Sequence, residues 1–165
     1  MTVDQRAKEF VAAQKSLVLA TVNKQGNPTV SHAPFVRDNG NLYVYTSKLS
    51  RHTNDMFECS KTSAMIIEDE VVATNVFARR RITFSCVVGP VSPKSAEWRE
   101  VMDSFSKTFG EAFEPMRSLG DFTLFCLNPF EVVYVEGFGR AFQLDRGLGS
   151  PVHVRGTGPG AKEHK

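Results

Sequence analysis

The sequence predicts a mainly β domain with flanking helices, in which six to seven short antiparallel strands close into a barrel partly covered by helices. Three observations predict it. Short runs of β-branched and aromatic residues recur along the chain. Turn signals such as Gly26-Asn27-Pro28 and Asn39-Gly40 join them as hairpins. One long amphipathic segment, Ser95 to Phe109, interrupts the series.

The chain opens with a short helix from Asp4 to about Ser16, because Ala7, Phe10 and Val11 share a face and Thr2 or Asp4 can cap it. Leu17 to Val22 and Thr29 to Val36 read as a hairpin, and Asn39-Gly40, which tolerates positive φ at both positions, leads into a third strand, Leu42 to Thr46. Ser50 then precedes a capped helix, Arg51 to Glu58. Thr62 to Glu68 and Arg81 to Val88 are the next strands, separated by a polar stretch from Asp69 to Asn75. Trp98, Val101, Met102, Phe105 and Phe109 make the long helix amphipathic, Gly110 stops it, and it should lie across a mouth of the sheet. A shorter helix, Glu111 to Leu119, precedes strands Phe122 to Leu127 and Val132 to Gly137, split by Asn128-Pro129, with Arg140 to Leu144 extending the last. From Gly147 onward Gly and Pro dominate, so residues 1–145 read as the folded domain and 146–165 as a flexible tail that contributes to the ligand site.

With 165 residues the chain suits one domain. Lys plus Arg total 20 against 18 acidic residues, so no net charge calls for nucleic acid. No run approaches the roughly 20 apolar residues a bilayer span needs. The three cysteines are unpaired by spacing and show no CxxC, which suits a reducing cytoplasm. Exposed strand edges in such a barrel favour a covering partner, and a symmetric homodimer is expected.

Two cationic features stand out. In Arg79-Arg80-Arg81, alternation along a strand places Arg79 and Arg81 on one face and Arg80 on the other, which suits a carboxylate or phosphate clamp or, equally, a charged edge that resists aggregation. In Thr46-Ser47-Lys48-Leu49-Ser50-Arg51-His52, hydroxyls and cations gather at a helix start, where an anion or ordinary capping accounts for them. Of the four histidines, no two have HxxxH spacing, so a metal held by protein alone is not expected. His32 reads as a hydrogen-bonded structural histidine. His153 and His164, in the tail, suit either plain disorder or ligation of haem iron, for which one imidazole suffices. Asp121 is a strand-start residue or the partner of a ligating imidazole. No hydrolase triad, GxGxxG or Walker-type loop appears.

Several of these segments, in this order, resemble the HugZ/HutZ haem-utilisation family, a branch of the pyridoxamine-phosphate-oxidase-like split barrels. They include Leu19-Ala20-Thr21-Val22, Ser31-His32-Ala33-Pro34-Phe35-Val36, Ser50-Arg51-His52, Phe77-Ala78-Arg79-Arg80-Arg81-Ile82-Thr83-Phe84, Asp121-Phe122 and Gly137-Phe138-Gly139-Arg140-Ala141-Phe142. The resemblance covers about Ser16 to His153. It implies a dimeric split β-barrel with haem at the subunit interface, an electron donor, and oxidative opening of the porphyrin to a biliverdin-like product with release of iron. It implies that Asp121 supports the ligating histidine and that Arg81 faces the haem, with Arg79, Arg80, Ser50, Arg51, His52, Thr46 and Ser47 as further cofactor-binding candidates. Members of the family carry a histidine shortly after a Gly-containing segment that follows a Val-His dipeptide, so the resemblance implies His164, beyond Val152-His153 and Gly158-Pro159-Gly160-Ala161, as the iron ligand, with His153 second. Related split barrels bind FMN, which gives an alternative in which Thr46, Ser47, Arg51 and Arg80 hold its phosphate. A non-catalytic haem carrier or storage protein is a third reading.

Overall fold

A computed structural model describes residues 1–155, and eight antiparallel strands follow from the alternating pattern: β1 (Ser16–Val22), β2 (Pro28–Asp38), β3 (Asn41–Ser47), β4 (Lys61–Ile67), β5 (Arg81–Pro90), β6 (Phe122–Val135), β7 (Ala141–Leu144) and β8 (Val152–His153). The order β3-β2-β1-β4-β5-β6 closes on itself because β3 also pairs with β6, so these six strands form a barrel and β7 and β8 extend its sheet beyond β6. The split-barrel expectation is met, with eight strands in place of six to seven.

Alternation builds the interior. Leu17, Leu19, Ala33, Phe35, Ile82, Phe84, Leu127 and Tyr134 are all buried in one cluster inside the barrel, each large side chain contributing on the order of 1.5–3 kcal/mol. The expected break at Asn128-Pro129 is instead one continuous strand. Ser85 pairs with Glu131 while Cys86 pairs with Pro129, so Phe130 is an extra bulge residue. The bulge switches the inward-facing set from Phe125 and Leu127 to Val132 and Tyr134, and it absorbs a proline that cannot donate to the ladder.

Four helices cover this barrel: α1 (Val3–Ala12), α2 (Arg51–Glu58), α3 (Ala96–Phe109) and α4 (Glu114–Arg117). A capping box between Thr2 and Gln5 starts α1, which ends four residues earlier than its periodicity suggests because β1 already begins at Ser16. Ala7, Phe10 and Val11 of α1 join the interior cluster at one end of the barrel, and Met56 of α2 joins it at the other. The long helix α3 therefore does not cross a mouth. Its Val101, Met102 and Phe105 pack with Val36, Tyr43 and Leu124 on the outer wall formed by β2, β3 and β6, which is why Leu42, Tyr43 and Val44 of β3 are buried consecutively. The predicted second short helix is a 3₁₀ turn, Gly110–Ala112, followed by the single turn of α4.

The segment after Asp145, expected to be flexible, folds back as far as it is described. Leu148 is fully buried, the Gly149 amide donates to Asp145 Oδ1 at 2.9 Å, and β8 pairs with β7, His153 opposite Phe142. A buried apolar anchor and satisfied turn amides outweigh the Gly-Pro composition. His164 lies outside the described residues. No described helix is long and apolar enough to cross a membrane.

Candidate functional site

The candidate residues fall into two groups at opposite ends of the barrel. Ser47 ends β3 opposite Phe122, the first residue of β6, whereas Arg81 starts β5 opposite Val135, the last. The strand between spans roughly 40 Å at about 3.3 Å per residue.

At the first end, Asp121 is the hub. Ser47 Oγ donates to its Oδ2 at 2.6 Å, the Lys48 amide donates to its main-chain oxygen at 2.8 Å, and the Leu49 amide donates to Ser47 Oγ at 3.1 Å. The other carboxylate oxygen, Oδ1, takes no protein hydrogen bond among the described residues. Thr46 is buried, its hydroxyl paired with that of Thr53 at 2.8 Å. Thr21 donates to the buried Asp55 carboxylate at 2.7 Å, which together with the threonine pair fastens α2 to the barrel. Ser50 occupies the N-cap position of α2, but its side chain makes no capping bond, a departure from the capped helix expected; its main-chain oxygen accepts from Thr53 instead. Arg51 is exposed. The Ser31 hydroxyl lies 2.8 Å from His52 Nδ1, and burial above all holds the His52 pKa below its usual 6.5, with Asp55 opposing and His32 reinforcing that shift.

Beside Asp121 opens a cavity of about 530 Å³ lined by Tyr45, Lys48, Trp98, Arg117, Leu119 and Phe122, among others. Apolar rings dominate its walls. Arg117 is committed to Asp103 at 2.7 Å and to Ser106 Oγ at 2.9 Å, which pins α4 against α3. Lys48 makes no ion pair among the described residues. Tyr45 donates to the Arg117 carbonyl at 3.3 Å, and burial, followed by the Asp121 charge, raises its pKa. A flat apolar molecule with anionic edges suits this chemistry, because Tyr45, Trp98 and Phe122 offer ring surface and Lys48 can meet a carboxylate.

The arginines at the other end are largely engaged. Arg79 donates Nε and Nη2 to the Glu68 carbonyl and Nη1 to Glu70 at 3.0 Å. Arg80 pairs with Glu68 at 3.3 Å and stacks on Phe10, 4.6 Å from the ring centroid. Arg81 faces out of the barrel, since Ile82 and Phe84 face in, and donates to the Arg79 carbonyl at 3.1 Å. The expected clamp of Arg79 with Arg81 thus does not stand free: Arg79 precedes the strand and spends its fork on the end of β4. His153 is exposed, its Nε2 2.7 Å from the Gly139 carbonyl. His32 is also a correction, being exposed on the outer face of β2 opposite Val18, with no hydrogen bond among the described residues. No three His, Cys, Asp or Glu side chains group as a metal site among the described residues.

Sequence reasoning missed the cavity itself. Periodicity places Trp98 in an amphipathic stripe and ends a helix at Leu119, and neither implies a concave site; a Trp at the edge of such a stripe and an isolated acid, Asp121, are the available signal.

The pyridoxamine 5'-phosphate oxidase family model matches residues 3–136. Heme oxygenase HutZ of Vibrio cholerae serotype O1 (strain ATCC 39315 / El Tor Inaba N16961) is 41% identical over 137 residues, which cover 83% of this chain and 78% of that protein. The crystal structure of HutZ from Vibrio cholerae, there described as a heme storage protein, superposes with a TM-score of 0.80 at 37% identity, over 83% of this chain and 97% of that one. Campylobacter jejuni ChuZ superposes with a TM-score of 0.84 at 30% identity, over 97% of this chain and 65% of that one.

Proposed function

This chain belongs to the pyridoxamine 5'-phosphate oxidase family, in the branch that holds HutZ, and on that premise we propose that it binds haem and degrades it oxidatively, releasing iron. Likeness to a heme oxygenase supports the reading. The observation that carries it within this chain is Asp121, fixed by Ser47 on one carboxylate oxygen and without a protein partner on the other among the described residues, between Gly120 and Phe122, which line an apolar cavity together with Lys48. A carboxylate so held accepts the N–H of an imidazole and raises the basicity of its other nitrogen. His164 is our iron ligand, with His153 the second choice. Haem is the substrate, and when bound it supplies the redox-active iron at which oxygen is reduced with electrons from a separate donor.

Asp121 and Arg81 serve one site only if two copies of the chain supply them, since one copy holds them a strand length apart. A homodimer is part of the proposal for that reason. Two features support it. On the outer face of β1 and β4, Val18, Met65 and Ile67 are only partly buried, and Val71 and Phe77 of the segment joining β4 to β5 are 91% and 86% exposed, an apolar surface of the kind partners cover. Arg81 then lies against the haem face, holding the haem or polarising the oxygen as it is reduced.

The test is optical. The protein is titrated with haemin, and a sharp Soret band that the His164→Ala variant loses and the His153→Ala variant keeps supports the ligand assignment. Reductant is then added under air: loss of the Soret band with chelatable ferrous iron supports degradation, whereas a persistent band leaves a storage protein. A tight yellow complex with FMN, indifferent to both histidines, defeats the haem reading.

A further inference from the structure

The fold family brings with it the expectation of FMN, its phosphate held by the hydroxyls and cations at the β3 to α2 corner. The residues present do not fit that group. A phosphate needs free donors and no competing anion, yet of the corner's three hydroxyls only that of Ser50 makes no hydrogen bond among the described residues. Thr46 is buried against Thr53, and Ser47 donates at 2.6 Å to Asp121. That carboxylate adds a negative charge within hydrogen-bond distance of the hydroxyl a phosphate oxygen would claim. Lys48 and Arg51 make no ion pair among the described residues, so positive charge remains at the corner and it is the Asp121 carboxylate that opposes a phosphate there.

We infer that Asp121, locked by Ser47, is a specificity-determining residue: it stands in the corner as an internal anion, excludes a phosphate ligand, and reserves the site for a partner that donates an N–H. The lock has two parts. Charge rejects the phosphate, because a second anion within about 4 Å of the carboxylate meets repulsion that the partly buried setting screens poorly. Geometry selects the donor, because Ser47 holds Oδ2 and the Lys48 amide holds the Asp121 main-chain oxygen, which leaves Oδ1 without a protein partner among the described residues. The same corner thus carries opposite ligand preference according to one residue. This inference deepens the haem reading but does not depend on it, because its readout is phosphate binding.

The experiment titrates FMN into the whole chain and follows quenching of flavin fluorescence, with inorganic phosphate as competitor and haemin titrated in parallel. The wild type takes up no FMN in the micromolar range. Asp121→Asn keeps the shape and the Ser47 contact but removes the charge, and binds FMN at least about tenfold more tightly, with phosphate displacing it and Arg51→Ala in the same background weakening it. Asp121→Ser serves as the second variant, and far-ultraviolet circular dichroism verifies that each is folded. Ser47→Ala, which leaves the charge in place, still rejects FMN. The inference is overturned if both folded Asp121 variants ignore FMN as the wild type does, or if the wild type binds FMN as they do. Failure of haemin to bind in the parallel titration would sink the proposed function alone and leave this result standing.

Discussion

Asp121 stands immediately before the first residue of β6 and Arg81 pairs across from its last, Val135, so the two residues that resemblance assigns to one reaction sit at opposite ends of a strand of 14 residues. If they act together, they act between chains. Asp121→Asn and Arg81→Ala should each abolish haem turnover alone. Mixed after unfolding and refolding together, they should recover about a quarter of wild-type turnover, since half the dimers are mixed and each of those holds one intact site. No recovery, with mixed dimers present by native mass spectrometry, would place both residues in the same subunit's site or outside it.

Glu136 is enclosed between Arg6, at 2.8 and 2.9 Å, and Arg140, at 3.0 Å. The hydrogen bond from Arg6, the largest influence, holds its carboxyl pKa below the usual 4.5. A depressed carboxyl stabilises the fold in its ionised form, so its contribution is complete above pH 4.5 and fades as the pH falls through the lowered value. Glu136→Gln should cost roughly 1–3 kcal/mol at neutral pH and flatten the acid limb of a urea stability profile. An unchanged acid limb would show that the cluster contributes nothing on folding.

His52 titrates in the opposite sense to a salt-bridged histidine. Its folded pKa lies below 6.5, chiefly through burial, so the neutral ring hydrogen-bonded with Ser31 is favoured, and stability is complete above pH 6.5 and declines as the pH falls through the depressed value. Side-chain NMR should find a titration midpoint under 6.5, and the stability loss between pH 6.5 and 5 should shrink in His52→Gln. A midpoint above 6.5 contradicts the arrangement.

Gly40 carries φ of +80°, and a Cβ there would come within 3.1 Å of both Nε and the carbonyl oxygen of Arg146. Gly40→Ala should therefore destabilise the fold by about 1–2 kcal/mol or more, read as a lower urea midpoint with unchanged slope. Arg146 also holds the Asn39 carbonyl at 3.2 Å and the Asn41 side chain at 2.9 Å, so the same variant should loosen the Asp145 turn in hydrogen exchange.

Much of this was readable from local chemistry. Asn39-Gly40 announced its positive-φ turn, Ser95 and Gly110 bracketed α3, and Ser95 does accept from the Trp98 amide at 3.1 Å. What stayed hidden depends on distant partners. Pro129 argued for a break because nothing near it reveals that β5 is long enough to pair on both sides of a bulge. Leu148 is an ordinary apolar residue in a Gly-rich stretch, and only its packing with distant residues of the interior cluster explains its complete burial. In the site, Ser47, Asp121 and the arginine run were all visible as types. Their grouping was not, because strand register decides that Ser47 meets Asp121, and the carbonyl of Glu68, which no side-chain pattern shows, decides that Arg79 is spent.

The closure of the barrel through β3 and β6 joins Leu42 to Leu127 and Ser47 to Phe122, segments separated by about half of the chain. During synthesis β1 to β5 can emerge and pair as neighbours while both outer edges, those of β3 and β5, stay open until β6 has left the ribosome. One strand then seals both at once. Non-local pairing of this kind is slow and leaves strand edges unprotected meanwhile. The nascent protein is therefore most exposed to misassociation in the interval before residue 135 is released, and a stall within β6 should be the costliest place for translation to pause.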